Sequence, residues 1–230
     1  MSNALTRTLP RHHHLLSRLK PFDKLDVAQQ LSISLWKNAF NKYDKELRTC
    51  LDALAVPQLE PYLVWVPSYE LGKFEQLAEG GFAKVFRARI NISSEIHDVA
   101  AKELPHTMIS ELVLNVYLSR SAQSVNNAPT MEVIGLSQHP HTGKYLMIMQ
   151  FADMGTLENR PCDFDGDWYT VLTYAIKLAS CLVSLHEMEI AHQDLHPGNV
   201  VLHRTQIILL IDVGISKAAE EASSEDSVYG

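Results

Sequence analysis

The chain has little cysteine and no closely spaced pair. Cys50, Cys162 and Cys181 are the only three in 230 residues. An odd number of distant thiols excludes a disulfide framework and a CxxC-type zinc site, and fits a reducing compartment. Cationic excess is also lacking: 20 Lys and Arg face 27 Asp and Glu, a formal net charge of -7. That balance argues against a nucleic acid gripped through its phosphates, yet a nucleotide asks for only a few local cations. No uninterrupted apolar run approaches the ~20 residues of a membrane span; the longest, such as 207–211, have the length of a strand. Residues 1–20 lack acidic side chains and an apolar leader core, and carry Arg7, Arg11, Arg18 and Lys20. Residues 1–22 therefore read as a basic, solvated tail that includes His12, His13 and His14. An organelle transit peptide is the alternative. The expected location is the cytoplasm, or else the nucleus.

What is present is globular: 46% of residues are hydrophobic and 20% charged, enough to build a core. Between residues 23 and 54 the apolar positions Leu25, Ala28, Leu31, Leu35, Ala39, Tyr43, Leu47, Leu51 and Leu54 step by threes and fours. This predicts amphipathic helix, broken near Asn41 and ended by Pro57 and Pro61. Segments 74–77, 84–90, 99–103, 131–136 and 145–150 read as five strands, with one helix over 110–119. Residues 168–187 form a second strong helical pattern, followed by short strands at 199–202 and 207–211.

Four motifs then stand in order: LAEGGFAKVFRA at 77–88, VAAK at 99–102, HQDLHPGN at 192–199 and DVG at 212–214. Singly, each is ordinary turn or strand chemistry: Asp194, Asn199 and Asp212 would pass for turn formers. Together, from about Tyr69 to Gly230, they resemble a eukaryotic-type protein kinase domain of the tyrosine-kinase-like branch. The resemblance implies an α+β, protein-kinase-like fold. A five-stranded antiparallel N-lobe (66–151) follows a helical extension (23–65) and precedes an incomplete helical C-lobe (152–230). The chain ends before the family's remaining helices, so bare apolar surface is expected on the C-lobe.

The resemblance also implies ATP, Mg2+ and a protein substrate, with serine or threonine favoured over tyrosine as acceptor. Phosphoryl transfer asks the protein mainly for position and charge neutralisation around a polyanion. Asp194 would accept the hydrogen bond of the incoming hydroxyl. Asn199 and Asp212 would give hard oxygens to magnesium. Lys102 would meet the phosphates, with Glu111 as its helix partner across an unusually short connection; Glu103 points to the other face. Ala78, Gly80 and Gly81 would approach the phosphates. Leu77, Val85, Ala100 and Val201 would sandwich the base, Met149 would close the back of the pocket, and the backbone of Gln150 to Ala152 would meet the purine edge.

Three departures from the family pattern carry consequences. Only Gly80 remains of three loop glycines, with alanine at 78 and 83, which lowers the expected nucleotide affinity. Gln193 stands where many kinases carry an arginine that grips a phosphorylated loop, so little dependence on phosphorylation of Ser223, Ser224, Ser227 or Tyr229 is expected. Val213 replaces a phenylalanine. The alternatives to a protein kinase are a small-molecule phosphotransferase of the aminoglycoside or choline kinase type, and a kinase-like module that binds partners without catalysis.

Overall fold

Asp26 starts the longest amino-terminal helix by a capping box. Its carboxylate accepts from the N–H groups of Ala28 (2.8 Å) and Gln29 (3.1 Å), while Gln29 Oε1 accepts from the Asp26 N–H (3.2 Å). Two orphan donors of the first turn are thereby satisfied. A computed structural model of the chain describes residues 12–79, 83–105, 108–122, 128–160, 168–203 and 207–213, and the backbone of 217–218. Gly80, Gly81, Cys162, Ser223, Ser224, Ser227 and Tyr229 lie outside the described residues.

The helices are α1 (His12–Ser17), α2 (Val27–Phe40), α3 (Asp44–Ala53), α4 (Ile109–Ser121) and α5 (Trp168–Glu187). The expected break near Asn41 is a 3-10 turn, Asn41–Tyr43. The main strands are β1 (Val64–Trp65), β2 (Gly72–Glu79), β3 (Lys84–Ile92), β4 (Glu95–Glu103), β5 (Val133–Gln138) and β6 (Tyr145–Gln150). They form one sheet in the order β1-β5-β6-β4-β3-β2. Five of these strands are the antiparallel set read from the sequence. The sixth, β1, comes from the extension and pairs parallel to β5, Val64 opposite Gly135. Gly135 is required there: a Cβ on it would lie 2.1 Å from the Val64 carbonyl oxygen.

Cross-strand partners share a face of the sheet. Ala78, Val85, Lys102 and Met147 form one row, and Arg87, Ala100 and Met149 form the next on the same side. The opposite face carries Phe86, Ala88, Ile90, Val99, Ala101 and Ile148, buried together with Trp36 and Phe40 of α2. On the Lys102 side, Met147, Val133 and Leu136 pack with Leu112, Val113 and Val116 of α4 and with Leu47, Leu51 and Leu54 from α3 and its end. The extension thus clads both faces of the sheet.

Past the sheet, α5 leads through β7 (Ile190–Ala191) to the hairpin of β8 (Val200–His203) and β9 (Ile207–Leu210). A further strand, β10 (Lys217–Ala218), pairs antiparallel with β7. One face of α5 joins this layer through the buried Cys181 and Leu185. The other face is bare: Trp168, Leu172, Ile176 and Val183 are exposed.

One expectation needs correction. Residues 12–20 are not a solvated tail: Leu16 is buried, and Leu15 and Leu19 pack against two hydrophobic clusters at once. Their apolar spacing offsets the basic neighbours that suggest a free tail. Helix α5 has the length and average apolarity of a membrane span by composition alone, although no uninterrupted apolar run in it reaches that length. Scattered hydroxyls and one lysine interrupt its apolar runs without lowering its average much.

Candidate active site

Lys102 is the centre of the site. It lies on β4 opposite Val85 and Met147, where the sheet face turns towards α4 and the β8–β9 hairpin. Burial alone would strip the charge from a lysine. Here Nζ donates to Glu111 Oε1 at 2.5 Å and to Asp212 Oδ1 at 2.6 Å. Burial opposes the charge most strongly, but the two carboxylates together outweigh it and hold the ammonium above the ordinary lysine value. Glu111, in the first turn of α4, is nearly inaccessible and moves the other way. Its burial outweighs the attraction of Lys102, and the nearby Asp212 adds to the effect, so its carboxyl rises above the usual range. One cation shared by two acids accounts for both directions. Glu103 points away and takes Lys144 as its partner at 3.0 Å.

Asp212 reaches Lys102 because the chain turns sharply there. Its φ is +59°, in the left-handed region that aspartate enters more readily than most residues. The turn is tied to the 192–199 motif by two bonds. The Ile211 N–H donates to the Asn199 carbonyl (3.0 Å), and His192 Nε2–H donates to the Ile211 carbonyl (2.8 Å). His192, which the sequence reading left without a role, thus braces the turn that carries Asp212; its signal was its place at the head of the motif. Val213, the next residue, is fully buried beside Leu114, Tyr117 and Leu118 of α4, so the smaller side chain still fills its slot.

Within the motif, residues Pro197–Asn199 form a 3-10 turn entered by His196, whose Nδ1 accepts from the Gly198 N–H at 3.2 Å. Asn199 is buried. Its Nδ2 donates to the Asp194 carbonyl (2.9 Å) and to Asp194 Oδ2 (3.2 Å). That leaves Oδ1 of Asn199 as the atom available to a cation, and it fixes the orientation of Asp194, which is half exposed at the loop. Gln193, exposed with φ at +63°, supplies the preceding kink.

The other nucleotide-site candidates fall into three groups. Ala78, Val85, Ala100 and Met149 share the Lys102 face of the sheet, half-buried or exposed. Leu77 falls at the irregularity between Gln76 and Ala78 and is half exposed; a bulge at that point re-aims its side chain. Val201 is buried in a cluster with Met131 and Leu209, against the half-buried Ala152 and Ile211. At Gln150 the backbone N–H donates to the Glu132 carbonyl at 2.9 Å, so that N–H is not available to a purine edge.

The donor set suits a magnesium ion that keeps most of its water. Among the described residues no three acidic, histidine or cysteine side chains converge as a metal cage. One carboxylate, Asp212, and one amide, Asn199, stand on two turns joined by the bond from the Ile211 N–H to the Asn199 carbonyl. Mg2+ is usually held by one or two carboxylates together with substrate phosphates, so this pair fits it and fits a calcium or zinc cage poorly.

Comparison with known proteins agrees with this geometry. The family model described as protein tyrosine and serine/threonine kinase matches residues 71–229. The chain is 29% identical over 161 residues to the DNA damage-responsive serine/threonine-protein kinase RqkA of Deinococcus radiodurans, covering 65% of this chain and 23% of that protein. It is 28% identical over 150 residues to the putative U-box domain-containing protein 53 of Arabidopsis thaliana, covering 57% and 18%. It is also 28% identical over 155 residues to the serine/threonine-protein kinase gad8 of Schizosaccharomyces pombe, covering 66% and 26%. The chain therefore spans about a quarter or less of the length of these relatives.

Proposed function

Because the chain belongs to the protein tyrosine and serine/threonine kinase family, we propose that it binds Mg-ATP beside Lys102 and passes the terminal phosphoryl group to a protein serine or threonine. The observation that carries this reading is the ammonium of Lys102 drawn between Glu111 and Asp212. A buried cation with two acids is costly to assemble for stability alone. It is well suited to receive a polyanion, because Lys102 can shift its donors to phosphate oxygens while Glu111 keeps it in place. Magnesium, when bound, supplies a compact divalent charge next to the phosphates. Asp212, released from Lys102, and Asn199 Oδ1 are the atoms that would hold it. Asp194 is set by Asn199 to accept the hydrogen bond of the acceptor hydroxyl and orient its oxygen for in-line attack. Ala152 N–H and the apolar row of Val85, Ala100 and Met149 would hold the adenine.

The test is thermal melting of the full chain with and without Mg-ATP, together with transfer of labelled phosphate to a generic protein. A rise in melting temperature with Mg-ATP is expected for the natural sequence and for Asp194→Asn. Transfer is expected to fall by about 10²–10⁴-fold in Asp194→Asn. No melting shift and no transfer by the natural sequence would overturn the reading. They would favour a kinase-like module that binds a partner, for which the bare apolar face of α5 is the supporting observation.

A further inference from the structure

Helix α4 carries Glu111 at one end and is held by the amino-terminal extension at the other. The last carbonyls of a helix have no partner in its own ladder. In α4 two of them are satisfied from outside. The Ser119 carbonyl accepts from Gln29 Nε2 (3.0 Å, a buried bond), and the Ser121 carbonyl accepts from Lys20 Nζ (3.0 Å). Gln29 is 1% exposed, a polar side chain buried on α2 for this one contact and for its part in the capping box. An ammonium at a helix carboxyl end also complements the helix dipole. Between the two carbonyls, Arg120 reaches Glu132 (2.7 Å) and the Val133 carbonyl (2.9 Å), and Glu132 in turn accepts from Ser32 of α2 (2.8 Å). Leu15 and Leu19 wedge between α4 and the layer built on α5. The ion pair of Arg18 with Glu189 is solvent-exposed and adds little.

We propose that Lys20 and Gln29 are positioning residues for Glu111. By capping the carboxyl end of α4, they fix the helix at the setting where Glu111 meets Lys102. The alignment of the nucleotide site is thus set from outside residues 71–229, the segment that the kinase family model matches. The proposal rests on the nucleotide reading of Lys102 for its functional consequence, but not for its structural core.

Two measurements on point variants of the full chain separate these. Lys20→Met and Gln29→Met keep side-chain length and remove the donors. Hydrogen exchange of the α4 amides needs no nucleotide; each variant is expected to speed it about fivefold, the worth of one hydrogen bond. Lys20→Arg, which keeps a cationic donor, is expected to restore the natural rate. Mg-ATP affinity is expected to weaken about fivefold in Gln29→Met, and that loss should vanish in a Glu111→Gln background. Natural exchange in both Met variants overturns the proposal. An equal loss of affinity in both backgrounds overturns it too, because it marks general destabilisation. Should Gln29→Met not fold, Lys20→Met at its half-buried position carries the same readings. A natural chain that does not bind Mg-ATP counts against the nucleotide reading alone, and the exchange result still decides the capping.

Discussion

Removing Lys102 leaves Glu111 buried against Asp212 with no cation, and the sign of the pH effect follows from the shifts. The Glu111 carboxyl is already above its unfolded value of 4.5 because of burial. In that window the folded chain binds more protons than the unfolded chain, so stability falls as pH rises through it. Lys102, raised above 10.5 by its two acids against the cost of burial, contributes stability that is present below that value and lost only as pH climbs through the folded value. Lys102→Met deletes the second contribution and enlarges the first. The variant is expected to be about 3 kcal/mol less stable than the natural chain at neutral pH. The deficit should shrink towards pH 4.5, where Glu111 is protonated and needs no cation. Urea midpoints of both proteins across that range check this. A deficit that does not change with pH would show that Glu111 keeps its charge without Lys102.

At the scale of elements, the least negotiable contact is that of β1 with β5. Gly135 faces the Val64 backbone with no room for a methyl group, and the Val66 N–H continues the contact by donating to the Leu136 carbonyl (2.8 Å). Gly135→Ala must push β1 away, opening the clusters that Leu63, Val64 and Val66 enter. The expected cost is about 1–3 kcal/mol, read as a fall in melting temperature, with the contacts of Lys102 on β4 undisturbed. An unchanged melting temperature would mean that β1 does not need the sheet. β1 also marks where sequence reasoning stops. Strands β3, β4 and β6 were legible, because each is a β-rich run of six to nine residues bounded by polar or glycine turns. Two residues, Val64 and Trp65, carry no period, and their partner lies far along the chain. The six residues of α1 fail for the same reason: Leu15 and Leu16 fit a helix or a tail equally well. At the site, the pairing of Lys102 with Glu111 was legible from motif order. The contact of Lys102 with Asp212 was not, because sequence alone shows which charges exist and not which of them meet before a ligand enters.

For the molecule as a whole, cladding is uneven. The extension covers both faces of the six-stranded sheet, whereas α5 turns an apolar face outward, with Leu172 at 59% and Ile176 at 66% exposure. Contiguous apolar patches of this kind mark either an interface or an aggregation hazard. Leu172→Gln with Ile176→Glu tests which parts of the molecule depend on that face. Neither side chain is part of a buried cluster, and both replacements are good helix formers. The doubly substituted chain is therefore expected to bind less of a hydrophobic dye and to stay monodisperse at higher concentration. Its unfolding free energy should stay within about 0.5 kcal/mol of the natural value, and its response to Mg-ATP should be the same. A loss of more than about 2 kcal/mol would show that the face is already covered in solution, since side chains more than half exposed are not expected to cost that much. Sedimentation of the natural chain would then reveal whether a second copy provides the cover.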